Sequence, residues 1–207
     1  GGSYKGKSIG SISEYTAFSF QAIKHITTGD GGMITLANPN LKAKTERIRW
    51  FGIDRSAKQM GNWENDIKEV GYKYQMTDLG ASIALASLEY FDSIMEHRFK
   101  LFNSYSEKLQ NIPGLELIGS GYKDRQHAAW IFTVAAQNRW DLQKKLREHK
   151  IESKQVHYRN DRYSIFSDKK LDLPNMNYLE DKYLVLPLHH KVSLADVDRI
   201  SQVIKSG

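Results

Sequence analysis

No cysteine occurs anywhere in the 207-residue sequence. Disulfides, thiolate zinc sites and thiol catalysis are thereby excluded, and a fold that relies on no disulfide fits the cytoplasm. No apolar run is long enough to span a membrane, so no membrane partner is expected. The opening Gly1-Gly2-Ser3-Tyr4 lacks the basic start and apolar run of a secretory signal. There is no internal repeat and no low-complexity segment. The cations are not gathered into a block either. The formal net charge is +6, which suits an anionic partner, but the lysines and arginines are scattered. That distribution favours a phosphorylated small molecule or plain solubility over nucleic acid, which calls for clustered cations with exposed aromatics.

What is present is ordinary for a soluble globular chain: 40% hydrophobic and 26% charged residues. The length suits one domain, or a domain with an added lobe. The most informative stretch runs from Phe18 to Ile34. Ala17-Phe18-Ser19-Phe20 reads as a buried strand end and Met33-Ile34-Thr35-Leu36 as a second apolar run. Between them lie Lys24 and the turn Thr27-Thr28-Gly29-Asp30-Gly31-Gly32, whose glycines let the backbone approach a ligand closely. An amine becomes a useful nucleophile when desolvation or nearby positive charge favours its neutral form, and a lysine between buried apolar segments meets that condition. Ser19 adds a hydroxyl suited to a phosphate. On local chemistry Lys24 is either a Schiff-base lysine or a solvated loop lysine beside a strand–turn–strand.

Downstream, Asn38-Pro39-Asn40 supplies a cap for a helix over Leu41 to Trp50, with Arg47 and Arg49 solvated. Gly52 to Asn65 reads as a polar loop. Thr77 or Asp78 is a good N-cap for a helix through Ala86. From Leu88 the apolar positions Leu88, Phe91, Met95, Phe102, Tyr105 and Leu109 alternate three- and four-residue spacings, which predicts one long amphipathic helix. Arg98 is the non-apolar member of that stripe, and reads as a snorkelling arginine or one arm of a structural ion pair in preference to a site residue. Pro113-Gly114 closes the helix. Leu115 to Ile118, Trp130 to Ala135 and Ile151 to Tyr158 read as strands, Asp141 to His149 and Leu194 to Ile204 as helices, with Ser193 capping the last. The adjacent His189 and His190 point apart on an extended segment, and no third ligand has a recognisable spacing, so no metal is expected.

Four stretches carry a family resemblance. Ser19, Phe20, Lys24, Thr28, Asp30, Gly31 and Gly32 fill, in order, a pattern that resembles the cofactor-lysine segment of the DegT/DnrJ/EryC1/StrS family of pyridoxal-phosphate (PLP) aminotransferases. Gly71-Tyr72-Lys73-Tyr74-Gln75-Met76 resembles the family's Gly-Tyr-Asn-Tyr-Arg-Met. Val156-His157-Tyr158 is similar to its His-Tyr segment near the substrate mouth, and Leu184 to His189 to its Leu-Pro-Leu-His segment. The resemblance covers almost all of the chain. It implies an α/β fold-type-I PLP aminotransferase. Residues 1–88 would be the C-terminal part of the PLP-binding large domain, and 89–207 a linking helix and a small α+β C-terminal domain. It also implies that Lys24 holds PLP, that Ser19 and Lys73 bind the cofactor, and that His157 and Tyr158 bind substrate. The enzyme would be a homodimer, because the stretch around Lys73 serves the neighbouring subunit's cofactor in the family. Here Lys73 stands in place of an asparagine and Gln75 in place of an arginine; a lysine serves a phosphate as a point charge. The aspartate that partners the pyridine nitrogen would fall before Gly1, so the sequence is expected to be the C-terminal portion of a longer enzyme.

The implied reaction moves an amino group from an amino-acid donor, glutamate by family habit, to a nucleotide-linked keto-sugar in amino-sugar and polysaccharide biosynthesis. The competing readings are a PLP-dependent sugar dehydratase, a non-catalytic remnant of the same fold, and a basic nucleic-acid-binding domain. The dehydratases carry histidine where this chain has Lys24, with His25 one position on. Against the nucleic-acid reading, the aromatics sit mostly in helix stripes and strands.

Overall fold

A computed structural model describes residues 1–64, 66–166 and 171–206. The chain forms two compact units, one of Ser3–Asp92 and one of Ser93–Gly207 with Gly1–Gly2.

In the first unit, β1 (Ser3–Tyr4) and β2 (Lys7–Ser8) make a tight antiparallel hairpin. Lys5 (φ 48°) and Gly6 (φ 74°) turn it, the two positive φ angles that match a hairpin turn to the twist of its strands. Strands β3 (Tyr15–Ser19) and β4 (Gly32–Leu36) pair antiparallel from Tyr15↔Leu36 to Ser19↔Gly32. The expectation of buried strands holds only for Phe20. Phe18 is half-buried, while Met33 and Ile34 are 51% and 44% exposed. Alternate residues point to opposite faces, and this two-stranded ribbon covers one face at most.

A single 3₁₀ turn, Pro39–Leu41, leads into α1 (Lys42–Arg49), with the Asn38 side chain accepting from Asn40 N at 3.0 Å. Arg47 is not simply solvated: its Nε donates to Glu69 Oε1 at 2.5 Å. The stretch expected to be loop contains α2 (Arg55–Gln59), because Asp54 caps it by accepting from Ala57 N at 3.1 Å; Asn65 at its far end lies outside the described residues. Thr77 caps α3 (Asp78–Glu89) through Gly80 N. The single long helix expected from Leu88 is two. Helix α3 ends at Glu89, where the Tyr90 N–H closes a tight turn onto Ser87 O. Helix α4 (Phe91–Leu109) then begins, leaving Leu88 on α3 and 44% exposed.

The second unit is built on the buried stripe Met95, Leu101, Phe102, Tyr105 and Leu109 of α4. Asn111, at φ 59°, turns the chain out of the helix ahead of Pro113. There follow β5 (Leu115–Ile118), β6 (Arg125–Gln126), β7 (Phe132–Ala136), α5 (Arg139–Glu148), α6 (Pro174–Leu179), β8 (Tyr183–Leu186) and α7 (Leu194–Lys205). Strands β5, β7 and β8 form an antiparallel sheet in the order β5-β7-β8. Strand alternation sends Phe132, Val134, Leu184 and Leu186 into one core with Tyr105, Leu146, Val197 and Ile200. Ser193 and Asp196 form a reciprocal capping box at the start of α7. The strand expected over Ile151 to Tyr158 does not form; it is reduced to one bridge, Lys154↔Val185. The Tyr183 hydroxyl takes the place of ladder partners, accepting from His157 N at 3.2 Å and donating to His157 O. Among the described residues no helix is long and apolar enough to cross a membrane.

Candidate active site

The β3–β4 ladder continues past its last pair. Phe20 N donates to Gly31 O at 2.8 Å and Thr28 N to Phe20 O at 2.9 Å. This closes the connection 20–31 into an arch whose interior is fixed by local hydrogen bonds. Gln21 N donates to Ser19 Oγ (3.3 Å), Ile23 N to Gln21 Oε1 (3.1 Å) and Lys24 N to Gln21 O (2.9 Å). On the other limb Gly29 N donates to Thr27 Oγ1 and Thr28 Oγ1 to Asp30 O. Ser19 and Lys24 are therefore brought together on one arch, Ser19 exposed and Lys24 half-buried.

Two glycines set the shape of that arch. A Cβ on Gly32 would lie 2.6 Å from Phe18 O of the paired strand. Gly31 has φ 155°, and a Cβ there would lie 2.5 Å from Thr28 Oγ1 and 3.2 Å from Met76 Cε. The second contact places Met76, at the end of the stretch from Gly71, against the arch. That stretch is pinned to α1 and its exit: Tyr72 N donates to Ile48 O (2.7 Å), Phe51 N to Tyr72 O (3.0 Å) and Tyr74 N to Arg49 O (2.9 Å). Gly71 backs directly onto the Phe51–Gly52 backbone, where no side chain fits. Lys73 shares this unit but lies exposed along Trp50, its Nζ 5.9 Å from the ring centroid, rather than at Ser19 or Lys24.

His157 and Tyr158 belong to the second unit. With Ile131, Thr133, Phe166 and Val185 they line an apolar cavity of about 930 Å³ on the face of the sheet opposite the core. Tyr158 packs edge-on against Tyr163 with ring centroids 5.3 Å apart. Arg159 beneath them is a residue that sequence reasoning missed. Its side chain is 2% exposed. It bonds both Asp161 oxygens (2.6 and 2.8 Å), Asn177 Oδ1 (2.6 Å), Leu171 O (2.8 Å) and Glu180 Oε2 (3.3 Å). The hydrogen bond from Arg159 holds the Asp161 carboxyl below the usual carboxylate range. The only signal in the sequence is an acid two residues after an arginine, which a surface pair shows equally.

Arg98 also departs from its expected role. It is buried and no carboxylate among the described residues pairs with it; Nη1 donates to Ala129 O, Trp130 O and Leu188 O, each at 3.1 Å. Carbonyls from two connections thus hold it, neither the snorkelling position nor the ion pair that the sequence suggested.

The arch carries the amine of Lys24 and the hydroxyl of Ser19 within six consecutive positions, the donor types that a phosphorylated aldehyde such as PLP needs: an amine for its carbonyl and a hydroxyl for its phosphate. The residues present fit that group.

The chain is 30% identical, over 98% of its length, to the spore coat polysaccharide biosynthesis protein SpsC of Bacillus subtilis. It is 35% identical to GDP-perosamine synthase of Caulobacter vibrioides over 65% of this chain and 34% of that protein. The crystal structure of the sugar aminotransferase CalS13 from Micromonospora echinospora matches with a TM-score of 0.93 at 27% identity, covering 100% of this chain and 56% of that one. The chain spans about half the length of the curated relatives it matches, 56% for SpsC. The fold is the α/β fold of the PLP-type sugar aminotransferases. Matched over residues 1–205 by the DegT/DnrJ/EryC1/StrS aminotransferase family, the chain belongs to that family.

Proposed function

We propose that the chain is the cofactor-lysine portion of a PLP-dependent aminotransferase that moves an amino group from an amino-acid donor, glutamate, to a nucleotide-linked keto-sugar. The observation that carries the reading is the arch: Lys24 and Ser19 on one hydrogen-bonded loop, closed by the Ser19↔Gly32 pair. PLP, when bound, supplies the electron sink for breaking a bond at the donor's Cα. Lys24 Nζ holds the cofactor and, once released from it, accepts and returns the proton. Ser19 Oγ binds the cofactor phosphate. Lys73 contributes charge to a phosphate, and His157 and Tyr158 contact the substrate. By the family resemblance the working enzyme is a homodimer in which Lys73 serves the neighbouring subunit. The name of the Caulobacter vibrioides relative, a GDP-perosamine synthase, supports the nucleotide-linked substrate.

The test is made on the full-length protein. Borohydride treatment fixes the cofactor covalently on the peptide containing Lys24. Lys24→Ala still binds PLP weakly through its phosphate but loses amino transfer by more than the ~10²–10⁴-fold of general acid–base catalysis alone. Lys24→Arg keeps the charge, cannot form the imine, and is as inactive as the alanine variant. Near-normal turnover in Lys24→Arg, or a label on another lysine, overturns the reading.

A further inference from the structure

Arg159 is a buried cation outside the hydrophobic core, beside the apolar cavity that His157 and Tyr158 line. Taking an ion pair out of water costs about as much as its attraction returns, so apolar side chains would stabilise that place as well. What the guanidinium supplies instead is direction: it is planar and its N–H groups point along fixed lines. Arg159 spends them on three separate pieces of the cavity wall. Nε and Nη2 take the two Asp161 oxygens at 2.6 and 2.8 Å, Nη2 also reaches Leu171 O at 2.8 Å, and Nη1 reaches Asn177 Oδ1 of α6 at 2.6 Å. Asp161 answers by accepting from Leu171 N at 3.3 Å, so the pair grips both main-chain groups of Leu171. Arg162 N donates to Arg159 O at 3.2 Å and closes the turn that follows. The backbone at Arg159 is extended (φ −67°, ψ 118°), and successive side chains of an extended segment point to opposite sides. Tyr158 is accordingly 54% exposed where Arg159 is buried, and anchoring the one sets the direction of the other.

We propose that Arg159 is the positioning residue of the substrate wall. Through Asp161 and Leu171 it fixes the main chain from which His157 and Tyr158 reach the cavity, and so sets how tightly the sugar substrate is held. The inference rests on the proposed contact of His157 and Tyr158 with substrate. A merely structural role makes a different prediction. It lowers the folded fraction, and with it the apparent kcat, at constant KM; a displaced wall raises KM while kcat is retained.

The experiment measures the two half-reactions of the full-length holoenzyme, with L-glutamate as donor and a GDP-linked keto-hexose as acceptor, well below the thermal midpoint. Arg159→Lys keeps the charge but not the planar fork. It is expected to raise KM for the sugar by about tenfold, the scale of one hydrogen bond lost, and KM for glutamate by less. Asp161→Asn keeps the shape and one acceptor, is the milder perturbation of folding, and is expected to shift KM the same way by a smaller factor. Leu146→Ala, in the core, is the control that loses stability without moving KM. His157→Ala and Tyr158→Ala calibrate the wall itself. If these two leave KM for the sugar unchanged, the substrate-contact reading fails. If they raise it while Arg159→Lys and Asp161→Asn both leave it within about twofold, the positioning role of Arg159 is overturned and the substrate-contact reading stands.

Discussion

Gly32→Ala tests whether the arch that carries Lys24 works through its closing pair. The added Cβ would sit 2.6 Å from Phe18 O, where ordinary contact begins at 3.4 Å. The obstructing atom is backbone of the paired strand, one residue before Ser19, so no flexible side chain can yield. The open end of the β3–β4 ribbon must separate by roughly 0.8 Å to restore contact distance. Overpacking of this kind costs about 1–3 kcal/mol. The catalytic consequence is larger, because a misplacement of about 1 Å in a reacting group can cost roughly 10²-fold in rate. Gly29→Ala is the matched control. Gly29 has φ 82° and no atom within 4 Å of an added Cβ, so alanine there meets only the left-handed backbone penalty of about 1–2 kcal/mol. The two variants should lose similar stability in urea unfolding. Only Gly32→Ala should lose amino transfer steeply, measured in a single half-reaction with the amino-acid donor by stopped-flow absorbance. Turnover in Gly32→Ala within about twofold of Gly29→Ala would refute the argument that the Ser19↔Gly32 register positions Lys24.

Further outcomes follow from the same geometry. Lys73→Ala in the full-length protein is expected to weaken PLP retention roughly tenfold to a hundredfold, the scale of a charge-assisted phosphate contact of ~1.5–3 kcal/mol; unchanged affinity by spectroscopic titration means that Lys73 contributes nothing to the cofactor. His127 is stacked on Phe102 with centroids 4.8 Å apart, its Nδ1 accepts from Ala129 N at 3.0 Å, and burial pushes its pKa below the ordinary 6.5. The unfolded chain therefore binds the extra proton first, so the His127 contribution to stability is present above pH 6.5 and declines as pH falls below it. His127→Phe should flatten the acid side of the thermal-midpoint profile, and an unaltered profile would contradict this.

The helices and core strands were legible where local chemistry decides them. Ser193 reads as a cap and is one, with Asp196 completing the box; Thr77 does the same for α3. The strands Leu115–Ile118 and Phe132–Ala136 follow from short apolar runs that a sheet buries on one face. What failed was continuity and partnership. Spacing alone joins Leu88 to Phe91, but it does not register the break at Tyr90, which costs the stripe one member. Ile151 to Tyr158 has strand composition, but whether it pairs depends on Tyr183, a residue far along the chain whose hydroxyl occupies the main chain at His157.

The candidate site divides the same way. Lys24, Ser19 and the Gly31-Gly32 pair lie within fourteen consecutive positions, and their arch is held by bonds between near neighbours, so order and spacing carry it. Arg98 shows the opposite case. Its place in the apolar stripe of α4 correctly suggests contact with the core, yet its acceptors lie 31, 32 and 90 positions away. They are backbone carbonyls, which every residue type offers equally, so composition at those positions gives no sign of the pairing. An acid in the stripe's neighbourhood would have been readable as a partner. An arginine satisfied by carbonyls therefore becomes visible only when its distant acceptors are placed in space beside it.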